Sequence, residues 1–245
     1  MSKKWLKVAL MVTAIATGTS IQVDAETVLY VPQDDRPVSL QYTVDTAKAA
    51  GMTVLTPPQN LISGKTYKGQ ADQIWNWVEQ NAGRADVMVL STDTLIYGGL
   101  VDSRKHNLPL STLENRLKRI EALKANHKNI RIYGFGTVMR SPRASGGGTE
   151  PSYYADYGPT IFQIAALQDK LDAGTLTQAE TQKLMSLQAS VPVEYLQDWF
   201  SRRQKNMQVN KDLIDEARNG VFAYFALGHD DTAQLSQSAL EGRYL

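Results

Sequence analysis

Aspartates recur where short apolar runs of this sequence give way to polar residues. Gln33-Asp34-Asp35-Arg36-Pro37 follows one run, Ser91-Thr92-Asp93-Thr94 a second and Gly228-His229-Asp230-Asp231-Thr232 a third, while a fourth run ends in Met139-Arg140. A single Asp in such a place commonly caps the next helix by accepting from its first free N–H groups. Asp34, Asp35, Asp93, Asp230 and Asp231, with Arg36 and Arg140, fit one shared pocket if the run ends converge. Close carboxylates push one another's proton affinities apart, so that one keeps a proton to donate while another stays ionised as base or nucleophile. Glycoside hydrolysis uses such a pair. The same oxygens suit a hard divalent cation, with His229 as a nitrogen ligand, and the residues leave acid–base and metal chemistry both open. No motif requires a cofactor.

Binding residues would come from elsewhere. Glu150 lies beside Pro151, Tyr153 and Tyr154 in a run of turn formers from Ser141 to Pro159, where it could close over a pocket and bring aromatic faces to a sugar ring. Arg202, Arg203, Asn206 and Asn210 fall at helical spacing, with the two asparagines four residues apart on one face. Such a face caps loops, binds ligand hydroxyls or is simply solvated. Three other signals fail. Ser63-Gly64-Lys65-Thr66 ends like a P-loop, but Gln59 stands where its first glycine belongs. Gly134-Phe135-Gly136 lies within a strand and lacks the third glycine of a dinucleotide fingerprint. Gly146–Gly148 supplies flexibility rather than a phosphate cradle, and there is no G-x-S-x-G elbow and no metal-type histidine pair.

The elements that must position these residues read as alternating β and α. Strand candidates are Thr27–Val31, Met52–Leu55, Asp86–Ser91, Ile130–Val138 and Val221–Leu227, continuous apolar runs of the kind found in strands buried on both faces. Ile74, Trp77 and Val78 recur at helical spacing before Gly83, which suits a left-handed C′ position. Ser111 with Glu114 and Thr177 with Glu180 form capping-box patterns, and a long helical pattern runs from about Val193 to Arg218. The expected architecture is α/β: an open, mostly parallel, Rossmann-like sheet of about five strands with flanking helices and a helical insertion before the last strand. A partial β/α barrel is the alternative, disfavoured because five strands cannot close an eight-stranded barrel.

The first residues carry Lys3, Lys4 and Lys7 ahead of an apolar run from Val8 to Ala16, with Val23 and Ala25 at the small-residue positions of a cut before Glu26. That order is a secretory signal peptide's, and the run is too short to cross a bilayer core of about 30 Å. The expectation is a signal at 1–25, one domain at 26–245 and export to the periplasm, envelope or exterior with no stable membrane anchor. The 26 basic and 25 acidic side chains nearly balance, so no concentrated positive surface marks a nucleic-acid partner. The absence of cysteine removes disulfides, thiolate nucleophiles and thiolate metal sites.

Taken in order, VPQDDRPVS, STDTLIYGGLVDSR, EPSYYADYG, RRQKNMQVN and ALGHDDT resemble a bacterial family of unknown function, DUF4127, from about Thr27 to the end of the chain. The resemblance implies that Asp34, Asp35, Arg36, Asp93, Tyr97, Glu150, Asp230 and Asp231 belong to a shared site. Members of that family are typically about twice as long, so the chain resembles an amino-terminal portion, with exposed apolar surface as an expected consequence. The functional expectation is an exported hydrolase acting on a glycan through strand-end carboxylates. An envelope protein that binds a carbohydrate or small molecule without turnover, and an inactive fragment, are the alternatives.

Overall fold

A computed structural model describes residues 25–144, 147–231 and 233–245. The expected signal peptide lies outside the described residues, apart from Ala25. Among the described residues no helix is long and apolar enough to cross a membrane.

The five strands are β1 (Thr27–Val31), β2 (Thr53–Leu55), β3 (Val87–Ser91), β4 (Arg131–Val138) and β5 (Tyr224–His229). They form one open, wholly parallel sheet in the order β2-β1-β3-β4-β5, so the barrel alternative is excluded. The chain steps outward from β1 to β2 and then crosses back to β3, which puts the reversal of strand order between β1 and β3. Open α/β sheets bind ligands beyond the strand carboxyl ends at such a reversal.

Helices α1 (Gln41–Ala49) and α2 (Ala71–Asn81) flank β2, and the short α3 (Thr92–Tyr97) and α4 (Leu100–Lys105) follow β3 directly. Next come α5 (Leu110–Asn126) and then, between β4 and β5, the expected insertion of α6 (Tyr154–Asp172), α7 (Gln178–Ser190) and α8 (Val193–Arg218); α9 (Gln237–Arg243) follows β5. One core joins Leu29, Met88, Leu90 and Ile132 of the sheet to Ile74, Trp75 and Val78 of α2, Leu113 and Leu117 of α5, and Val209 and Leu213 of α8. Within α2, Trp75 rather than Trp77 is fully buried, its indole N–H donating to the Leu95 carbonyl at 2.8 Å. A second core holds the insertion together around Tyr154, Ile161, Ile164, Leu184 and Trp199.

Several boundaries depart from the sequence pattern. The Thr177–Glu180 capping box forms, whereas α5 begins one residue before Ser111, after Pro109, with no side-chain cap. Gly83 sits inside a 3-10 turn, Ala82–Arg84, and not in the left-handed conformation. The run from Ser141 to Pro159 is not all loop, because α6 starts at Tyr154 and takes Pro159 into its second turn at the loss of one backbone bond. The fifth strand lies about two residues later than expected.

The strands are also not buried on both faces. Exposure alternates along β4, and Val28, Tyr30, Val54, Val87, Val89 and Tyr133 line an apolar groove of about 360 Å³ whose only flanking helix among the described residues is α1. No residue of α1 is buried, and Val38, Tyr42 and Tyr224 are exposed around it. Parallel sheets ordinarily have both faces covered.

Candidate active site

At the carboxyl ends of the strands a cleft of about 310 Å³ is lined by Asp34, Arg36, Lys65, Arg104, Arg140 and Asp230, with Leu100, Val101 and Thr149 between them. Each strand contributes through the segment that follows it. Asp34 and Arg36 come after β1, Arg104 ends the second short helix after β3, Arg140 follows β4 and Asp230 follows β5. The apolar groove on the sheet face is slightly larger, but its only ionic groups, Glu26 and Arg131, pair with each other. The strand-end acids and arginines therefore gather at the smaller, polar cleft.

Asp93 lies beneath that cleft. Ser91, not Asp93, caps α3, its hydroxyl accepting from Thr94 N–H at 3.3 Å, which leaves the Asp93 carboxylate free for other partners. Its Oδ2 accepts from Gln33 Nε2 at 2.8 Å and Thr137 Oγ1 at 2.9 Å. Only 2 % of Asp93 is exposed. Burial pushes its proton affinity up to about 6, against the lowering effect of those two bonds and of Arg104, with Asp230 adding to the rise. This buried carboxyl is half-protonated at about pH 6.

Asp34, Asp230 and Glu150 are engaged by arginines. Asp34 accepts from Arg36 Nε at 2.7 Å and from the Arg36 backbone N–H at 3.2 Å, a local turn that raises the proton affinity of the Arg36 guanidinium. Asp230 accepts from Arg104 Nη2. Glu150 accepts from Arg140 Nε at 2.8 Å and from Thr149 Oγ1 at 2.8 Å, and lies 3.7 Å from Arg104 Nη1. Arg104 is itself 4 % exposed; burial lowers its proton affinity, and its Nε has no hydrogen-bond partner among the described residues.

Arg104 is set in place by glycine. Gly98 ends α3 at φ +110°, where an L side chain would be strained, and a Cβ on Gly69 would stand 1.9 Å from the Gly98 carbonyl oxygen. The two backbones touch, and Gly69 N–H donates to Asp102 Oδ2 at 3.0 Å on the next helix. From behind, α8 grips the same segments. Asn206 Nδ2 donates to the Ser103 carbonyl at 2.8 Å while its Oδ1 accepts from His106 Nε2 at 2.7 Å, and Arg202 Nε donates to the His106 carbonyl at 2.6 Å. Arg203 donates to the Met139 and Arg140 carbonyls at 2.6 and 2.9 Å, with both Glu241 oxygens holding the guanidinium at 2.7 Å.

The convergence expected from the sequence is thus partial. Asp34, Arg36, Arg140 and Asp230 line the cleft, Asp93 lies under it, and Glu150 stands behind Arg140. Asp35 points away and accepts from the exposed Tyr67 hydroxyl. Asp231 is structural, its Oδ2 accepting from Ser141 N–H at 2.5 Å and Ser238 Oγ at 2.9 Å. Tyr97 borders a separate cavity with His106, and Tyr153 donates to Asp198 at 2.6 Å within the insertion. Asn206 serves the loop-capping reading of its helix face; Asn210 is buried further along and does not line the cleft. Among the described residues no three acids or histidines are grouped to hold a metal ion, and His229 packs against Gly242. Lys65 and Arg104 went unmarked in the sequence. Lys65 belongs to the run that fails as a P-loop, and Arg104 reads as an ordinary residue of a short helix.

A family model described as a protein of unknown function, DUF4127, matches residues 28–245. The chain belongs to that family. No curated protein and no solved structure matches it significantly.

Proposed function

We propose that the cleft is the active site of an exported hydrolase acting on a glycan. The observation that carries this reading is the pairing of a buried carboxyl whose proton affinity is pushed up to about 6, Asp93, with a cleft-facing carboxylate, Asp230, whose side chain is 26 % exposed. Hydrolysis of a glycosidic bond needs one group to give a proton to the leaving oxygen and another to take one from water. Asp230 and Asp34 are the acids that touch a substrate in this cleft. Asp93, one layer down, holds the proton and sets the charge of the site. Export is supported by the order of charged, apolar and small residues in the first 25 positions.

Hydrolysis of polysaccharide and oligosaccharide panels by the purified chain tests the reading. Asp230→Asn should lower turnover about 100-fold or more, the usual scale of a lost general acid or base. With Asp93 acting in its protonated form, turnover should fall as pH rises through about 6, and Asp93→Asn should remove that limb. Full activity in both variants would exclude these roles. A second reading, binding without turnover, is favoured by the arginine on each of Asp34, Asp230 and Glu150, since those oxygens already have a guanidinium partner. Saturable binding with no product after long incubation would decide for it.

A further inference from the structure

The lining of the cleft is unusual for a neutral sugar. Four cationic side chains, Arg36, Lys65, Arg104 and Arg140, face two carboxylates, Asp34 and Asp230, and among the described residues no aromatic ring lines the cleft. Apolar contact is limited to Leu100 and Val101, so a ligand gains little there from burial of a sugar face.

The arginines are also arranged against their own repulsion. Glu150 stands between Arg104 and Arg140, close to both, so one carboxylate fixes two guanidiniums side by side. The nearby Arg140 guanidinium disfavours the charge of the buried Arg104. Holding like charges together in a partly buried cleft costs stability unless an anion completes the set. Arg104 is the most exposed to that cost. It is nearly fully buried, and although Asp230 accepts from its Nη2, its Nε has no hydrogen-bond partner among the described residues and its contact with Glu150 is beyond hydrogen-bonding distance at 3.7 Å. Lys65 makes no ion pair among the described residues, and half of the Arg36 side chain remains exposed. A divalent cation would meet these four positive groups and would have to displace arginines from Asp34 and Asp230. An oxyanion meets Lys65 and the half-exposed Arg36 directly, and guanidiniums bind planar or tetrahedral oxyanions through paired N–H groups.

We infer that the ligand of this cleft carries an oxyanion, a carboxylate or a phosphate, held by Arg104 and Arg140 with Lys65 and Arg36 at the rim. The inference rests on the reading of the cleft as the substrate site and narrows its substrate to an acidic sugar derivative. Titration calorimetry of the full chain at low salt, with glucuronate, glucose 6-phosphate, glucose and inorganic phosphate as separate probes, tests it. At least one anionic sugar should bind ten times or more tightly than glucose, and whichever does identifies carboxylate or phosphate as the recognised group. Its affinity should fall with added salt. Arg140→Ala should weaken it at least tenfold. Because Arg140→Ala strips Glu150 of a partner and can unsettle the fold, Lys65→Ala is the companion variant, and it should weaken anion binding several-fold while leaving the melting temperature unchanged. Neither anionic sugar binding above glucose, or Lys65→Ala and Arg140→Ala both binding as the parent does, overturns the inference. Binding of inorganic phosphate and an anionic sugar without turnover of any glycan would sink the hydrolase reading alone. Turnover of neutral glycans with no preference for anions would sink the inference alone.

Discussion

Replacing Asp93 by asparagine should make the protein more stable at neutral pH. The carboxyl is buried, and its proton affinity rises from an ordinary 3.8 to about 6. Each unit is worth about 1.4 kcal/mol, so the ionised form costs the folded state on the order of 3 kcal/mol at pH 7.5. The folded protein binds this proton more tightly than the unfolded chain does. The stability it confers is therefore complete below pH 3.8 and is lost as pH rises through about 6. Asparagine retains a carbonyl oxygen to accept from Gln33 and Thr137 and carries no charge to desolvate. Urea unfolding of both proteins at pH 4, 6 and 7.5 should show the variant gaining about 3 kcal/mol relative to the parent across that range, with most of the change between pH 4 and 6. The difference between the two proteins is the quantity to read, because His106 contributes an opposing slope over the same interval. A difference that stays constant with pH would refute the argument, since it would mean that Asp93 does not change protonation between the folded and unfolded states. Gain of stability with loss of turnover would mark the carboxylate as a group kept for function at a cost in folding.

His106 supplies the opposing case. Burial pushes its imidazole down to about 4, and Nε2 donates to Asn206, so the ring is neutral in the fold. Its contribution is full above the ordinary 6.5 and is lost as pH falls toward 4. His106→Gln, which keeps an N–H for Asn206, should recover on the order of 3 kcal/mol of acid stability in urea melts at pH 4. Glu241→Ala should lower unfolding free energy by about 3–5 kcal/mol, the cost of leaving Arg203 buried without its carboxylate. Amide exchange should then quicken at β4's end, where Arg203 holds the Met139 and Arg140 carbonyls. An unchanged melt would show that the ion pair contributes nothing net.

The strands were legible because β-branched and apolar runs bounded by turn formers leave few other readings, and the long helix from Val193 to Arg218 matches its pattern end to end. What periodicity could not show is which faces find partners. The strand runs read as buried on both sides, yet Val28, Tyr30, Val87 and Val89 face an open groove, since an apolar run records what a strand can bury and not what covers it. Of the five acids, Asp34 and Asp230 line the cleft and Asp93 lies beneath it. Asp35 and Asp231 sit beside cleft residues in the sequence, but both pairs lie in irregular backbone past the strand ends, where Asp35 meets Tyr67 and Asp231 meets Ser141 and Ser238. Arg104 was invisible because its importance comes from burial, and burial follows from the contact of Gly69 with Gly98, two residues 29 positions apart with no periodic relation.

The helical insertion is more than an addition to the sheet. Four residues on one stretch of α8, Arg202, Arg203, Lys205 and Asn206, donate to carbonyls of His106, Met139, Arg140, Leu108 and Ser103. Those carbonyls belong to the two segments that carry Arg104 and Arg140. A loop carbonyl that bonds only to water leaves its segment free to shift, whereas one bonded to a buried guanidinium is fixed in both distance and direction. The α8 face thus converts two irregular segments into rigid supports for a pair of like charges that would otherwise move apart. Trp199 stacks on Arg203, with the guanidinium carbon 4.8 Å from the ring centre, and ties the same clamp to the insertion's own core. The sheet determines where the cleft lies, and the insertion determines that its arginines remain together within it.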